Sequence, residues 1–160
     1  MEKLTIAIPT FNRNEILKQN LSFLLPQLTP DCRLLILDNC SPTPVQETLY
    51  PILSKYPNIN FQIIRNRVNI GGNANIMRCV ELCETEWLWI LGDDDRPLTN
   101  AIDTIRNEIE ENPKAIFFNF YCDASGHKER NESKITRGLK EFMNSIDSFG
   151  LMFFISCNVY

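Results

Sequence analysis

Trp87-Leu88-Trp89-Ile90-Leu91-Gly92-Asp93-Asp94-Asp95 decides the fold. Five consecutive apolar residues bounded by a glycine read as a strand buried on both faces. The strand runs directly into three adjacent carboxylates. A strand with no polar face belongs inside a sheet covered on both sides, which is the usual condition of a parallel sheet.

Reading outward from that strand, the same pattern recurs. Upstream, Gly71-Gly72 opens a helix expected to turn Ile76, Met77 and Val80 inward, and Phe61 to Ile64 reads as the strand before it. Leu34 to Leu37 is another short apolar strand, ending at Asp38. The Asn39 to Pro44 turn leads from it to a helix carrying Val45, Leu49, Ile52 and Leu53, disturbed at Pro51. Leu4 to Ile8 is the first strand, stopped by Pro9-Thr10. Asn14 is the expected N-cap of a helix with Leu17, Leu21, Leu24, Leu25 and Leu28 on one side. Downstream, Ala101, Ile102, Ile105 and Ile109 mark a helix, Ala115 to Tyr121 a fifth strand, and Leu139 to Phe149 a short helix. Asp123 to Arg137 is polar and reads as an exposed loop. Strand and helix thus alternate, which predicts an α/β fold: a mostly parallel, Rossmann-like sheet with helices on both faces.

The bulk properties fit one domain. The chain has 160 residues, is 44% hydrophobic and 22% charged, and carries a net charge of −4. That balance argues against nucleic acid as a partner, since duplex binding needs a basic surface. No apolar run reaches the roughly 20 residues that span a bilayer; the run Phe149 to Cys157 reads as core or interface. No signal peptide is expected, so the six cysteines read as reduced thiols that pack, and the expected location is the cytoplasm, with peripheral contact at the inner membrane face. With His127 as the single histidine, a structural zinc site is disfavoured.

The chemistry should lie where the strands end, because ligands of open parallel sheets bind outside the carboxyl ends of strands. Pro9-Thr10-Phe11-Asn12-Arg13, Asp38-Asn39 and Asp93-Asp94-Asp95 all fall there. Three adjacent carboxylates need a compensating positive charge. Mg²⁺ or Mn²⁺ supplies it through oxygen ligands shared with phosphate; a solvated acidic turn capping the next helix is the plain alternative. Asp38 suits either a base or ribose contact or the pairing of a turn's own amides. The glycines of Asn69-Ile70-Gly71-Gly72-Asn73 allow close backbone approach before a helix, with unpaired amides for a phosphate. Arg65, Arg67 and Arg78 lie near this segment as phosphate candidates. Dinucleotide and P-loop spacings are absent.

As a set, these residues resemble family 2 glycosyltransferases of the GT-A fold. Ile6-Ala7-Ile8-Pro9-Thr10-Phe11-Asn12-Arg13 is similar to that family's opening, and Leu37-Asp38-Asn39-Cys40-Ser41 to its second-strand motif, usually Asp-Asp-Gly-Ser or Asp-Asn-x-Ser. Asn69-Ile70-Gly71-Gly72-Asn73-Ala74-Asn75 resembles its Asn-x-Gly segment, and Leu91-Gly92-Asp93-Asp94-Asp95 its acidic metal motif. The resemblance implies inverting transfer of a sugar from a nucleoside-diphosphate sugar to a sugar or glycolipid acceptor, in polysaccharide or glycan biosynthesis, with Mn²⁺ or Mg²⁺. It implies donor contacts from Pro9, Thr10, Phe11, Arg13, Asp38, Asn69, Gly71, Asn75, Asp93 and Asp94. The literal Asp-x-Asp places the metal on Asp93 and Asp95; a shifted register places it on Asp94 and Asp95.

Two departures stand out. Gly92 occupies what the family's common Asp-x-Asp-Asp pattern makes its first acidic position. The family's catalytic base lies well after the metal motif, in an acceptor half expected beyond Tyr160; Asp123, Glu129 and Glu132 read as loop charges, and no catalytic residue is assigned. The expected division is a nucleotide-sugar-binding core over 1–121, and a polar loop with the start of the acceptor side over 122–160. A donor-binding module without catalysis and a sugar nucleotidyltransferase are the competing readings. The latter is disfavoured because its glycine-rich phosphate loop is absent near the first strand.

Overall fold

A computed structural model describes residues 2–120, 134–145 and 155–160. Six strands form one sheet in the order β3-β2-β1-β4-β6-β5. The first four are β1 (Leu4–Thr10), β2 (Cys32–Asp38), β3 (Asn60–Arg65) and β4 (Trp87–Ile90), all parallel. β5 (Phe118–Asn119) and β6 (Asn158–Val159) close the other edge, with β6 antiparallel to both β4 and β5. The α-helices among the described residues are α1 (Asn14–Leu24), α2 (Val45–Leu53), α3 (Gly72–Glu81), α4 (Ala101–Glu111) and α5 (Gly138–Ser145).

Alternation along each strand divides the core in two. Leu4, Ile6, Ile8, Leu34, Ile36, Trp87, Trp89 and Leu91 share one cluster with Leu17 and Leu21 of α1, Val45 and Leu49 of α2, and Ile102 and Ile105 of α4. Ala7, Leu35, Leu37, Leu88 and Ile90 face the opposite way and pack with Cys79 and Ile76 of α3. The period of two puts successive residues on opposite faces, and both faces are covered. That is why these strands carry no polar face, and the sheet is mostly parallel, as expected.

The chain runs outward from β1 through β2 to β3 and then returns to β4 on the other side of β1. The strand order reverses between β1 and β4. This is the topological switch point, where the crossover helices part to opposite faces and leave a crevice at the strand ends.

The structure corrects several local expectations. Pro9 does not stop β1, which continues to Thr10 and pairs with β2 as far as Asp38. The Ala7 carbonyl accepts from Leu91 N–H, so Pro9, two residues on, faces the same side after pairing with β4 has ended at Ile90. Its missing N–H costs no ladder bond there. Asn14 is the first residue of α1 and not its N-cap; its side chain instead donates to the Thr43 carbonyl and Thr48 Oγ1, tying α1 to the start of α2. α2 runs through Pro51 and ends two residues later. Met77 and Val80 point outward, since Asn75 and Cys79 set the inward face of α3. The fifth strand is two residues long, and Ile116 lies exposed before it. Residues 134–137 are without regular structure, as expected; Tyr121, Cys122, Asp123, His127, Glu129, Glu132 and Phe149 lie outside the described residues. β6 belongs to the segment assigned to the second part of the chain, yet it pairs within the sheet of the first.

Among the described residues no helix is long and apolar enough to cross a membrane. Cys32, Cys79 and Cys157 are buried, and burial pushes the Cys79 thiol up to about 12. It is a packing group and an unreactive one.

Candidate functional site

The crevice at the β1/β4 switch point brings together two of the motifs, eighty residues apart in sequence. Thr10 ends β1, and its hydroxyl donates to Asp93 Oδ2 at 2.7 Å. Arg13, in the turn before α1, donates through Nη1 to Asp93 Oδ1 at 3.0 Å and to Asp94 Oδ2 at 2.8 Å. Asn20, on α1, holds the Asp93 carbonyl at 2.9 Å. Asp93 is buried and both its oxygens are engaged; Asp94 is exposed. Hydrogen bonding and the charges of Asp93 and Asp94 raise the Arg13 pKa further above its ordinary value. The acidic turn therefore already holds one internal cation.

Asp95 is held from the far edge of the sheet. Ser156, just before β6, donates to Asp95 Oδ2 at 2.5 Å and accepts from the Gly92 amide at 2.7 Å. The Ser156 carbonyl in turn accepts from Trp89 Nε1 at 2.8 Å, which fixes the serine against β4. Gly92 shows why no side chain stands at this position. A Cβ there would lie 2.5 Å from Asp95 Oδ2 and 3.4 Å from Asp94 Oδ1. The space over Gly92 is bordered by the carboxylates of both Asp94 and Asp95.

The end of β2 has a different character. Asp38 is 1% exposed. Its Oδ1 accepts the Ser41 amide at 2.8 Å; its Oδ2 accepts the Val45 amide at 3.3 Å and Arg65 Nη1 at 2.6 Å. Arg65 also donates to the Ser41 carbonyl. Burial pushes the Asp38 carboxyl up, but the hydrogen bonds from Ser41, Val45 and Arg65 outweigh it, and the net shift is downward. Both oxygens are spent on the β2–α2 turn and the first turn of α2.

Behind it lies a network of asparagines. Asn66 Nδ2 donates to Asn39 Oδ1 and Asn75 Oδ1; Asn75 Nδ2 donates to the Leu37 carbonyl; Asn39 Nδ2 donates to Asn69 Oδ1. Asn39 Oδ1 also accepts the Ile70 amide, and Asn69 Oδ1 the Gly71 amide. Arg78 donates to Asn66 Oδ1. Asn39, Asn66 and Asn75 are buried, while Asn69, Gly71 and Gly72 are exposed at the strand-end edge. The network fixes the glycine loop to the end of β2, and Gly71 adopts a left-handed φ of +87° that glycine takes without strain. α3 begins with no side-chain cap, so its first-turn amides are open to an anion.

Of the residues singled out in the sequence, Thr10, Arg13, Asp93 and Asp94 are in direct contact, and Asp95 lies beside them. Phe11 is exposed at the same edge. Asp38 and Asn75 are turned inward, with their side chains committed to the fold. Of the three arginines near the glycine loop, Arg65 is taken by Asp38 and Arg78 by Asn66. Ser156, Asn20 and Asn66 were missed. Asn66 follows β3 directly, and a polar residue at a fourth strand end was a usable signal. Ser156 and Asn20 reach the turn from 64 and 73 residues away, and no local pattern announces them. A cleft of about 430 Å³ lined by Asn12, Arg13, Asn14, Thr43 and Thr48 flanks the site on the α1/α2 side.

Comparison with known proteins gives the arrangement its context. The abequosyltransferase RfbV of Salmonella typhimurium is 34% identical over 96 residues, covering 58% of this chain and 28% of that protein. The GalNAc(5)-diNAcBac-PP-undecaprenol beta-1,3-glucosyltransferase of Campylobacter jejuni is 23% identical over 133 residues, covering 83% of this chain and 43% of its own length. The chain thus spans less than half of each of these relatives. Among solved structures, S. aureus TarS in complex with UDP superposes with a TM-score of 0.59 at 20% identity, over 69% of this chain and 33% of that one. The mannosyltransferase PcManGT of Pyrobaculum calidifontis, in complex with GDP-Man and Mn²⁺, gives 0.63 at 15% identity, over 75% and 35%. The fold they share is GT-A. The family model "Glycosyl transferase family 2" matches residues 5–159, nearly the whole sequence, and the chain belongs to that family.

Proposed function

We propose that the protein is an inverting glycosyltransferase, moving a sugar from a nucleoside-diphosphate sugar to a hydroxyl of a sugar or glycolipid acceptor in glycan biosynthesis. The observation that carries this reading is the convergence of Thr10, Arg13 and the Asp93–Asp95 turn at the β1/β4 switch point. The complexes of TarS with UDP and of PcManGT with GDP-Man support a nucleotide-sugar donor. The polyprenyl-linked name of the C. jejuni relative supports a glycolipid acceptor.

In this reading Phe11 offers its exposed ring to the base, with Pro9 and Thr10 forming the floor beneath the nucleoside. Asp93, oriented by Thr10, serves the ribose. The uncapped start of α3, presented by Asn69, Gly71 and Gly72, serves the diphosphate. Asp38 and Asn75 act one layer behind, holding the β2 end and the glycine loop in place. Residues 122–160 begin the acceptor side.

The donor set fits Mg²⁺ or Mn²⁺, because only oxygens are on offer and the space over Gly92 is left clear for two carboxylates. Asp94 and Asp95 would hold the ion. Asp93 has both oxygens engaged by Thr10 and Arg13, which favours this register over Asp93 with Asp95. Among the described residues no three metal-ligating side chains converge, and phosphate oxygens of the donor would supply the further ligands. When bound, the ion neutralises charge building on the leaving diphosphate.

Calorimetry with UDP and GDP, in Mn²⁺ and then in chelator, tests the reading. Binding that is cation-dependent supports it. Equal affinity in both buffers removes the metal; no affinity for either nucleotide excludes uridine and guanosine donors, and none for CDP, ADP or dTDP in addition removes the donor site.

A further inference from the structure

The acidic turn carries three negative charges in three residues, and the one cation that touches it among the described residues is Arg13. Its Nη1 lies between Asp93 and Asp94 and bonds both. The same Asp94 sends its other oxygen toward the space over Gly92, where Asp95 also points. Asp94 is therefore claimed from two sides: by the guanidinium through Oδ2, and through Oδ1 by whatever fills the space beside Asp95. The Arg13 side chain is half exposed, and among the described residues its guanidinium is anchored by the charges it neutralises, with no other hydrogen bond.

We propose that Arg13 is the resident counter-ion of the acidic turn, that it yields Asp94 when a divalent cation binds there, and that the released guanidinium then becomes available to the donor's diphosphate. The inference rests on the metal reading given above and adds the residue that couples cation to donor. The electrostatics fix the sign. A guanidinium and a doubly charged ion at one carboxylate repel each other, so each weakens the other's hold. With the ion in place the turn no longer needs Arg13, and the nearest new anion is the diphosphate. Binding of cation and nucleotide should therefore be cooperative through Arg13.

Arg13→Gln tests this in the wild-type background, with Arg13→Lys as the conservative variant. Mn²⁺ affinity is measured by calorimetry without nucleotide. Thermal unfolding is followed in chelator and in saturating Mn²⁺. UDP or GDP affinity, whichever the protein binds, is then measured in Mn²⁺. The expected result for Arg13→Gln is Mn²⁺ binding about fivefold tighter than wild type, the scale of one half-exposed ion pair. In chelator the variant melts below wild type, and in saturating Mn²⁺ that gap narrows, because the bond to Asp94 is then given up in wild type too and only the bond to Asp93 separates the two proteins. Nucleotide affinity in Mn²⁺ falls, and Arg13→Lys lies between. Mn²⁺ binding that is unchanged or weaker in Arg13→Gln, or a melting gap as wide in Mn²⁺ as in chelator, overturns the proposal and leaves the metal reading standing. If neither wild type nor Asp95→Ala differs in Mn²⁺ binding from buffer alone, the metal reading falls, and this inference with it.

Discussion

The ends of β2 and β4 place aspartates on the same edge of the same sheet, two strands apart, yet use them in opposite ways. Asp38 is enclosed, and three donors from its own turn, α2 and β3 fill its oxygens. Asp94 and Asp95 stand partly in solvent, each held by a single contact that reaches across the fold. A carboxylate surrounded by backbone amides is part of the scaffold; one held by a movable side chain can change partners. Residue type and position on the edge do not separate the two cases. The number and kind of donors around each carboxylate do.

Replacing Asp38 should give the largest effect, and it should be on stability. Asp38→Ala leaves two buried amides and Arg65 without their acceptor, at a cost of about 3 kcal/mol, read as a lowered denaturant midpoint. The pH dependence has a definite sign. The folded-state carboxyl titrates below its ordinary value, so its contribution is fully present above about pH 4, the unfolded value, and is lost as pH falls through the folded one. Asp38→Asn should flatten that acid limb of the stability profile. Asp31, lowered by its bonds to Thr29 and Arg106 against the opposing effect of burial, keeps a slope of the same sign. A profile unchanged in Asp38→Asn would place the acid sensitivity elsewhere and erase the contrast between the two strand ends.

Replacing Asp95 should divide the other way. Asp95→Ala gives up one hydrogen bond, from Ser156, and stability should drop by no more than about 1 kcal/mol. Cation-dependent nucleotide affinity should fall about tenfold or more, as expected for loss of one of two carboxylate ligands. Calorimetry and melting on the same preparation give both numbers. A variant that unfolds as readily as Asp38→Ala, with nucleotide affinity intact, would make Asp95 scaffold too.

Much of this was legible in the sequence because it is local. Short apolar runs gave β1 to β4, their polar ends gave the edge, and the motif set gave the family. What was hidden depends on residues far apart. β6 is two residues whose strand character comes from lying between β4 and β5. Met77 and Val80 read as core because apolar character ordinarily faces inward, but hydrogen bonding of Asn75 to the β2 backbone sets the phase of α3. A polar side chain with a buried partner can outweigh two methyl-rich ones, and periodicity of hydrophobicity does not register it. The distinction between Asp38 and Asp94 was hidden for the same reason. Ser41 and Val45 are near Asp38 in sequence, but Arg65 and Arg13 approach their carboxylates from 27 and 81 residues away.

The glycine positions of the two motifs sharpen the comparison at a smaller scale. Cys40 occupies the place where the resembling motif usually carries glycine, and it adopts a φ of +66°. A left-handed conformation costs a side-chain-bearing residue about 1 kcal/mol, offset in part by glycine's greater freedom when unfolded. Cys40→Gly should therefore raise the melting midpoint slightly or leave it unchanged, with nucleotide binding unaffected. A clear loss of stability would mean that the Cys40 thiol, which contacts the Arg67 carbonyl, matters more than its backbone.

Gly92 should show a small change in stability and the most local one. Its φ is not left-handed, so backbone strain does not require glycine there. What requires it is space: an added methyl would meet Asp95 Oδ2 at 2.5 Å, and that oxygen is the far end of a movable side chain. Gly92→Ala should fold, with a loss below about 1 kcal/mol as the carboxylate swings aside and weakens its bond to Ser156. The effect should appear instead in cation-dependent nucleotide affinity, lowered severalfold, because the methyl occupies the space that Asp94 and Asp95 border. The paired measurement is the melting midpoint in chelator against Mn²⁺-dependent nucleotide binding for wild type, Gly92→Ala and Asp95→Ala. If Gly92→Ala binds as wild type does, the carboxylates do not need that space, and a cation would have to be held by Asp93 after all. That would require Thr10 or Arg13 to release it, and would turn the most enclosed of the three aspartates into the working one.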